Sequence, residues 1–143
     1  DVNVLISLAW PNHVHHQVAQ RWFLENRDRG WATSPLTQSS FVRISSNRQI
    51  LPEAKTPREC VLLLERITEL PHHEFWEDDT SWTSSPFLAR EKLIGHRQIS
   101  DAHLLALALR RRGCLATLDR QILGLVPNGI QAEEVVRWID PRG

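Results

Sequence analysis

The run Ser100-Asp101-Ala102-His103-Leu104-Leu105-Ala106-Leu107-Ala108-Leu109-Arg110-Arg111-Arg112-Gly113-Cys114-Leu115-Ala116-Thr117-Leu118-Asp119 sets a helix and a strand back to back, with an aspartate near each end. Ser100 is placed to cap a helix from Asp101 to Arg112. Leu104, Leu105, Leu107, Ala108 and Leu109 make that helix apolar on most faces, which is the mark of a buried helix. Arg110, Arg111 and Arg112 complement its C-terminal dipole, and Gly113 suits the left-handed position beyond it. Cys114 to Leu118 then reads as a strand that ends on Asp119.

The same alternation runs back toward the N-terminus. Asn12 can cap a helix in which Val14, Val18 and Trp22 recur at i, i+4, with Gly30 just past its end. Trp31 to Ser34 is a short strand, and Ser34-Pro35 gives the N-cap and first residue of a helix to about Asn47. Thr56-Pro57-Arg58-Glu59 is a capping box, followed by a stripe of Val61, Leu64 and Ile67. His73 to Trp76 is a second short strand before the acidic turn Glu77-Asp78-Asp79, and Ser85-Pro86 opens another short helix. Ile130 to Ile139 leaves room for one more strand or helix. Strands alternating with helices argue for an α/β fold with a parallel sheet, in which ligands bind beyond the carboxyl ends of the strands.

At 143 residues the chain has the size of one ordinary domain, with 41% hydrophobic and 24% charged residues. Lys plus Arg and Asp plus Glu both number 17, so no global field draws it to nucleic acid or a membrane, and any RNA contact must be local. Cys60 and Cys114 read as small core residues rather than a disulfide framework, which favours the cytoplasm. No apolar run approaches the ~20 residues that span a bilayer.

Asp1, Asp101 and Asp119 lie far apart in sequence but can converge if their segments lie side by side. Such an oxygen-rich cluster suits Mg²⁺, with Mn²⁺ as an alternative. It would repel phosphate unless a cation is bound. An isolated aspartate is otherwise a cap or turn residue. His13, His15 and His16 start a helix with no Cys or His elsewhere to complete a zinc set. Trp22 and Trp76 are expected in the core, and Trp10 is the one tryptophan placed to meet a base.

Six words carry a resemblance that runs nearly the whole length. They are Asp1-Val2-Asn3-Val4-Leu5-Ile6, Ala32-Thr33-Ser34-Pro35-Leu36-Thr37-Gln38, Phe41-Val42-Arg43-Ile44-Ser45-Ser46-Asn47, His73-Glu74-Phe75-Trp76-Glu77-Asp78-Asp79, Gln98-Ile99-Ser100-Asp101-Ala102-His103 with the leucines after it, and Leu115-Ala116-Thr117-Leu118-Asp119-Arg120. In this order they resemble the PIN-domain ribonucleases, in particular the VapC-type toxins of bacterial toxin–antitoxin pairs. The resemblance implies a single PIN domain over 1–143 with a central parallel β-sheet flanked by helices on both sides. It also implies a short apolar strand ahead of the first aspartate. As the chain has no Met and opens on Asp1, a few residues of that strand are expected to be missing.

By the same resemblance the protein is a Mg²⁺-dependent endoribonuclease, a hydrolase of RNA phosphodiester bonds. It would have a cognate small antitoxin as partner and form a homodimer. Asp1, Asp101 and Asp119 match three acidic positions, with Asp1 and Asp101 as direct metal ligands and Asp119 acting through water. The fourth position commonly holds Glu, and here is Gln38, which brings no charge. Asn3 and Thr117 could orient the carboxylates from a second shell, while Arg43, Arg97 and Arg120 could bind RNA phosphate or pair with the pocket. A rival reading takes the missing Glu as the sign of a weakened PIN domain kept for binding RNA or a partner. A phosphoryl-transfer or receiver domain is disfavoured, because no Lys stands at a strand end between Asp101 and the C-terminus.

Overall fold

Phe41, with none of its surface exposed, is the hub of an apolar cluster with Leu5, Ile6, Trp10 and Leu64. The computed structural model describes residues Asp1–Gly143, and the chain divides into two compact units. One comprises residues 2–77 and 141–143, and the other comprises Asp1 with residues 78–140.

In the first unit, helices α1 (Val2–Ala9), α3 (Pro35–Ser45) and α4 (Pro57–Thr68) supply the Phe41 cluster, and α2 (His16–Asn26) packs on α1. Strands β1 (Trp31–Thr33) and β2 (His73–Phe75) pair in parallel, with Trp31 opposite His73. A parallel pair needs a long crossover, and α3 and α4 supply it. Each of these two helices opens as its sequence dictates. Ser34 Oγ accepts the Thr37 N–H at 3.4 Å while Thr37 Oγ1 accepts the Ser34 N–H at 2.8 Å. Thr56 and Glu59 form the second reciprocal box.

The second unit is built on α5 (Ile99–Arg110), in which Ala102 and Leu104 to Ala108 are all buried. Strands β3 (Leu115–Thr117) and β4 (Val136–Trp138) pair in parallel, with the short helix α6 (Ala132–Val135) leading into β4. Alternate carbonyls of a strand point to opposite sides. Thr117 O accordingly takes the Ile139 N–H at 2.8 Å, while Ala116 O takes the nitrogen of Asp1 at 2.8 Å.

The fold is α/β, but its strands form two separate two-stranded ladders rather than the expected central sheet. Each strand is three residues long. Thr33 runs directly into the Ser34 cap, and Thr117 is followed two residues later by Asp119, which caps a 3₁₀ turn at Arg120–Leu125. These caps take the backbone out of strand geometry and keep β1 and β3 short.

Several local expectations are corrected. The second helix begins at His16 rather than at an Asn12 cap, because the chain first turns, with the His13 N–H on Trp10 O and the His16 N–H on His13 O, both at 2.9 Å. The buried stripe of α4 falls on Cys60 and Leu64, leaving Val61 on the exposed side. Ser85-Pro86 opens no helix, since the Ser85 hydroxyl closes a local turn onto the Phe87 N–H at 3.3 Å. Ser100 does not cap α5, because a 3₁₀ turn at His96–Gln98 runs straight into the helix. At the other end Arg112, not Gly113, takes the left-handed conformation, with φ 55°. The N–H groups of Arg112 and Gly113 bond to Leu109 and Ala108 in a Schellman pattern, at 3.1 and 2.9 Å. Cys60 is a core residue, whereas Cys114 is exposed in the turn ahead of β3.

Two substitutions test this account. Phe41→Ala should cost about 3–5 kcal/mol by leaving a cavity at the hub. Ser34→Ala should cost about 1–2 kcal/mol, because two buried partners lose their cap. Urea unfolding of the three proteins measures both, and equal losses would contradict the placement of Phe41.

Candidate active site

Thr117 ends β3 with its side chain fully buried, and its hydroxyl joins two of the three aspartates. Thr117 Oγ1 donates to Asp1 Oδ2 at 2.9 Å and accepts the backbone N–H of Asp119 at 3.0 Å. The main chain of Asp1 is also held, through its nitrogen on Ala116 O. Both residues are therefore fixed by the same three-residue strand, although 118 positions separate them in the chain (119 − 1).

Asp119 is a cap as well. Its Oδ1 accepts the Gln121 N–H at 2.8 Å, which leaves Oδ2 without a protein donor. Asp101 is different, for its half-buried carboxylate in the first turn of α5 receives no hydrogen bond or ion pair. Burial, and then the charge of Asp119, push its pKa above the usual carboxylate range. A carboxylate held in that way is costly to keep ionised, and a cation would relieve the cost.

No group of three or more His, Cys, Asp or Glu side chains forms a ready-made metal cage. Mg²⁺ does not require one, since it keeps several waters and is held by one or two carboxylates. The available donors, the Asp101 carboxylate, Asp1 Oδ1 and Asp119 Oδ2, are hard anionic oxygens of the kind that ion prefers. The rings of His13 and His16 are engaged elsewhere. His13 Nδ1 meets the Ser7 hydroxyl at 3.2 Å and accepts the His15 N–H at 3.1 Å, and His16 Nδ1 lies 2.7 Å from Ser7 O. Burial, and then the neighbouring His15 and His16, hold the His13 pKa down.

The other sequence-predicted residues are distributed as follows. Gln38 lies half-buried on α3, and its amide donates to Thr33 Oγ1 at 3.0 Å, in a chain that continues to His73 Nε2 at 2.8 Å. Asn3 lies in the first turn of α1, where its carbonyl accepts the Ser7 hydroxyl at 2.8 Å. Arg43 is exposed in the last turn of α3, and Arg97 is exposed just before α5. Arg120 follows Asp119 directly, with its guanidinium carbon 5.2 Å from the centre of the Trp138 ring. Trp10 does not face a substrate. The backbone of α1 continues to it, with its N–H on Ile6 O at 3.1 Å, so it is buried and its indole donates to Ser45 at 3.2 Å. Trp22 and Trp76 are half-buried rather than fully in the core.

Two groupings were missed by sequence reasoning. Trp138 beside Arg120 depends on the β3–β4 register, which no local pattern announces. His103 is clasped between Asp78 Oδ2 at 2.5 Å and the Trp82 indole at 2.9 Å. Burial alone would raise the pKa of Asp78, but the bonds from His103 and Thr80 outweigh it and hold it low. An acidic turn ahead of a His on a buried helix was its only signal.

No family model matches this sequence. Among curated proteins it is similar to Ribonuclease VapC39 of Mycobacterium tuberculosis (strain ATCC 25618 / H37Rv), with 44% identity over 130 residues, which cover 91% of this chain and 94% of that protein. Ribonuclease VapC38 of the same strain is 40% identical over 125 residues, 87% of this chain and 86% of the relative. Ribonuclease VapC44 is 38% identical over 122 residues, 85% of each.

The raised pKa of Asp101 has a consequence for stability. Below the unfolded value of 3.8 both states are protonated and the residue costs nothing. As pH rises through the higher folded pKa, the native state must ionise a half-buried group, and stability is lost. Asp101→Asn should therefore melt at a higher temperature than the parent at pH 7 in EDTA. That advantage should fade toward pH 4, and equal melts across the range would show that Asp101 bears no such burden.

Proposed function

This chain belongs to the VapC ribonuclease family, and on that premise we propose that Asp1, Asp101, Asp119 and Thr117 form the Mg²⁺-dependent centre of an RNA-cleaving toxin. The protein is the ribonuclease component of a toxin–antitoxin pair, with RNA as its substrate and a cognate small antitoxin as its partner. Mn²⁺ is an alternative to Mg²⁺, the fold is of the PIN type, and the setting is cytoplasmic. The observation that carries the reading is Asp101, a half-buried carboxylate with no protein donor beside the charge of Asp119. No helix is long and apolar enough to cross a membrane.

A bound Mg²⁺ would supply positive charge against the phosphodiester and acidify water at neutral pH. Asp101 would hold the ion by its unpaired carboxylate, with Asp1 as the second direct ligand. Thr117 donates to Asp1 Oδ2, and Oδ1 is the oxygen that would be left for a cation. Asp119 Oδ2, left over from the cap, is the acceptor available for a proton of the attacking water. Hydrolysis then adds that water to phosphorus while one ester oxygen leaves with a proton. Without a cation the same carboxylates would repel the RNA backbone.

Gln38 brings no charge, and its amide is committed to Thr33. That favours a second reading, a weakened domain that binds RNA without cutting it. Cleavage of total RNA with Mg²⁺ and with EDTA separates the two. The parent should cut only with Mg²⁺, and Asp101→Asn should lose on the order of 100-fold in rate or more while remaining folded. Equal cleavage by the two proteins would remove Asp101 from the mechanism, and RNA binding without Mg²⁺-dependent cutting would leave the binding module.

Thr117→Val should be equally informative. It preserves shape but strips the donor to Asp1 and the acceptor for Asp119. Activity should fall about tenfold or more, with melting lowered by the equivalent of about 1–3 kcal/mol for the groups left unsatisfied. A fully active Thr117→Val protein would show that Asp1 needs no orienting bond.

A further inference from the structure

We propose that Arg120, seated on the face of Trp138, is the phosphate clamp that anchors single-stranded RNA beside the acidic site. The inference rests on the ribonuclease reading and deepens it. With 17 basic and 17 acidic residues the chain has no general attraction for RNA. A cluster of aspartates adds local repulsion, so a nearby cation must hold the backbone.

Arg120 meets the requirements better than Arg97, Arg110 or Arg137. It is the residue after Asp119, exposed, and makes no ion pair or hydrogen bond. Arg110 is occupied by a two-pronged bridge to Asp79, at 2.7 and 2.5 Å. The guanidinium of Arg137 donates to Glu133 O. Arg97 is exposed, and no contact fixes its guanidinium. The Arg120 guanidinium, by contrast, is fixed over the Trp138 ring at 5.2 Å. An aromatic face holds a guanidinium by its charge and leaves all five N–H donors unused. Those donors match two oxygens of a phosphate at once.

Trp138 is itself placed by the fold. It pairs with Thr117 in the parallel ladder, beside the residue that holds Asp1 and Asp119. Its indole N–H is buried without an acceptor, a burden on stability. The ring therefore serves through its π-face rather than through its polar atom. Trp138 acts as a positioning residue, and Arg120 is the group that touches RNA.

The test uses the full chain carrying Asp101→Asn, in EDTA, so that the strand survives. The probe is a short fluorescein-labelled oligouridylate, followed by anisotropy over a salt series. Arg120→Gln should weaken binding about fivefold to twentyfold, and the slope of log K against log salt should shrink by about 0.7. Arg120→Lys should restore the slope but only part of the affinity, because it keeps the charge and loses the fork. Trp138→Leu should weaken binding at least threefold, and adding Arg120→Gln to it should bring little further loss, since the two residues act as one unit. Trp138→Phe keeps a ring and should bind within about twofold of the parent, which holds the test open if Trp138→Leu unfolds.

Unchanged affinity and slope in Arg120→Gln would overturn the clamp, as would fully additive losses in the double variant. A parallel assay with Asp101 intact and Mg²⁺ present keeps the two readings apart. If the parent cuts RNA and Arg120→Gln leaves KM unmoved, the clamp falls and the ribonuclease stands. If the parent neither binds nor cuts RNA, the ribonuclease reading falls and takes the clamp with it.

Discussion

The hydroxyl of Thr117 binds the acidic site to the fold. As donor it fixes Asp1, and as acceptor it fixes the turn that carries Asp119. A buried hydroxyl is costly unless satisfied, and here both of its roles are filled by residues of the site. The site is consequently held at the end of β3, where a parallel ladder stops and its last polar groups need partners. Asp119 meets part of that need by capping the 3₁₀ turn that follows. The cap that orients Asp119 uses one carboxylate oxygen and leaves the other.

Asp101 is held on different terms. Asp1 and Asp119 have protein donors, whereas Asp101 has burial and a like charge nearby. Its position in the first turn of α5 offers some compensation, since a helix N-terminus favours an anion. That benefit does not cancel the desolvation, because its pKa still lies above the usual range. On a helix otherwise rich in alanine and leucine, such a carboxylate is a burden on the native state at neutral pH that a bound cation would relieve.

The second unit also shows how cations are apportioned. Arg110 is spent on Asp79, where the arginine holds the Asp79 pKa below the usual range. Arg137 is spent on a carbonyl. Arg120 is spent on an aromatic face, the one kind of contact that immobilises a guanidinium without using its hydrogen bonds. In a chain of zero net charge, this separates neutralised arginines from merely positioned ones.

The sequence by itself determined what is governed by neighbours a few residues apart. The Ser34 and Thr56 caps, the strands at Trp31 and His73, and the buried run of α5 all follow from capping chemistry, periodicity and breaker residues. The candidate acids were legible too, because aspartates at segment ends stand out against apolar runs. Where local signals competed, the tertiary structure chose. Turns ahead of His16 displaced the helix start from Asn12, Trp10 was drawn into the Phe41 cluster, and Arg112 took the left-handed turn offered to Gly113. Only the tertiary structure decided which strands pair, that each ladder stops at two strands, that Thr117 spans Asp1 and Asp119, and that Trp138 lies under Arg120. The physical reason is common to all four. Each depends on groups distant in sequence meeting in space, and hydrogen-bond register between strands leaves no periodic trace in the residues that obey it.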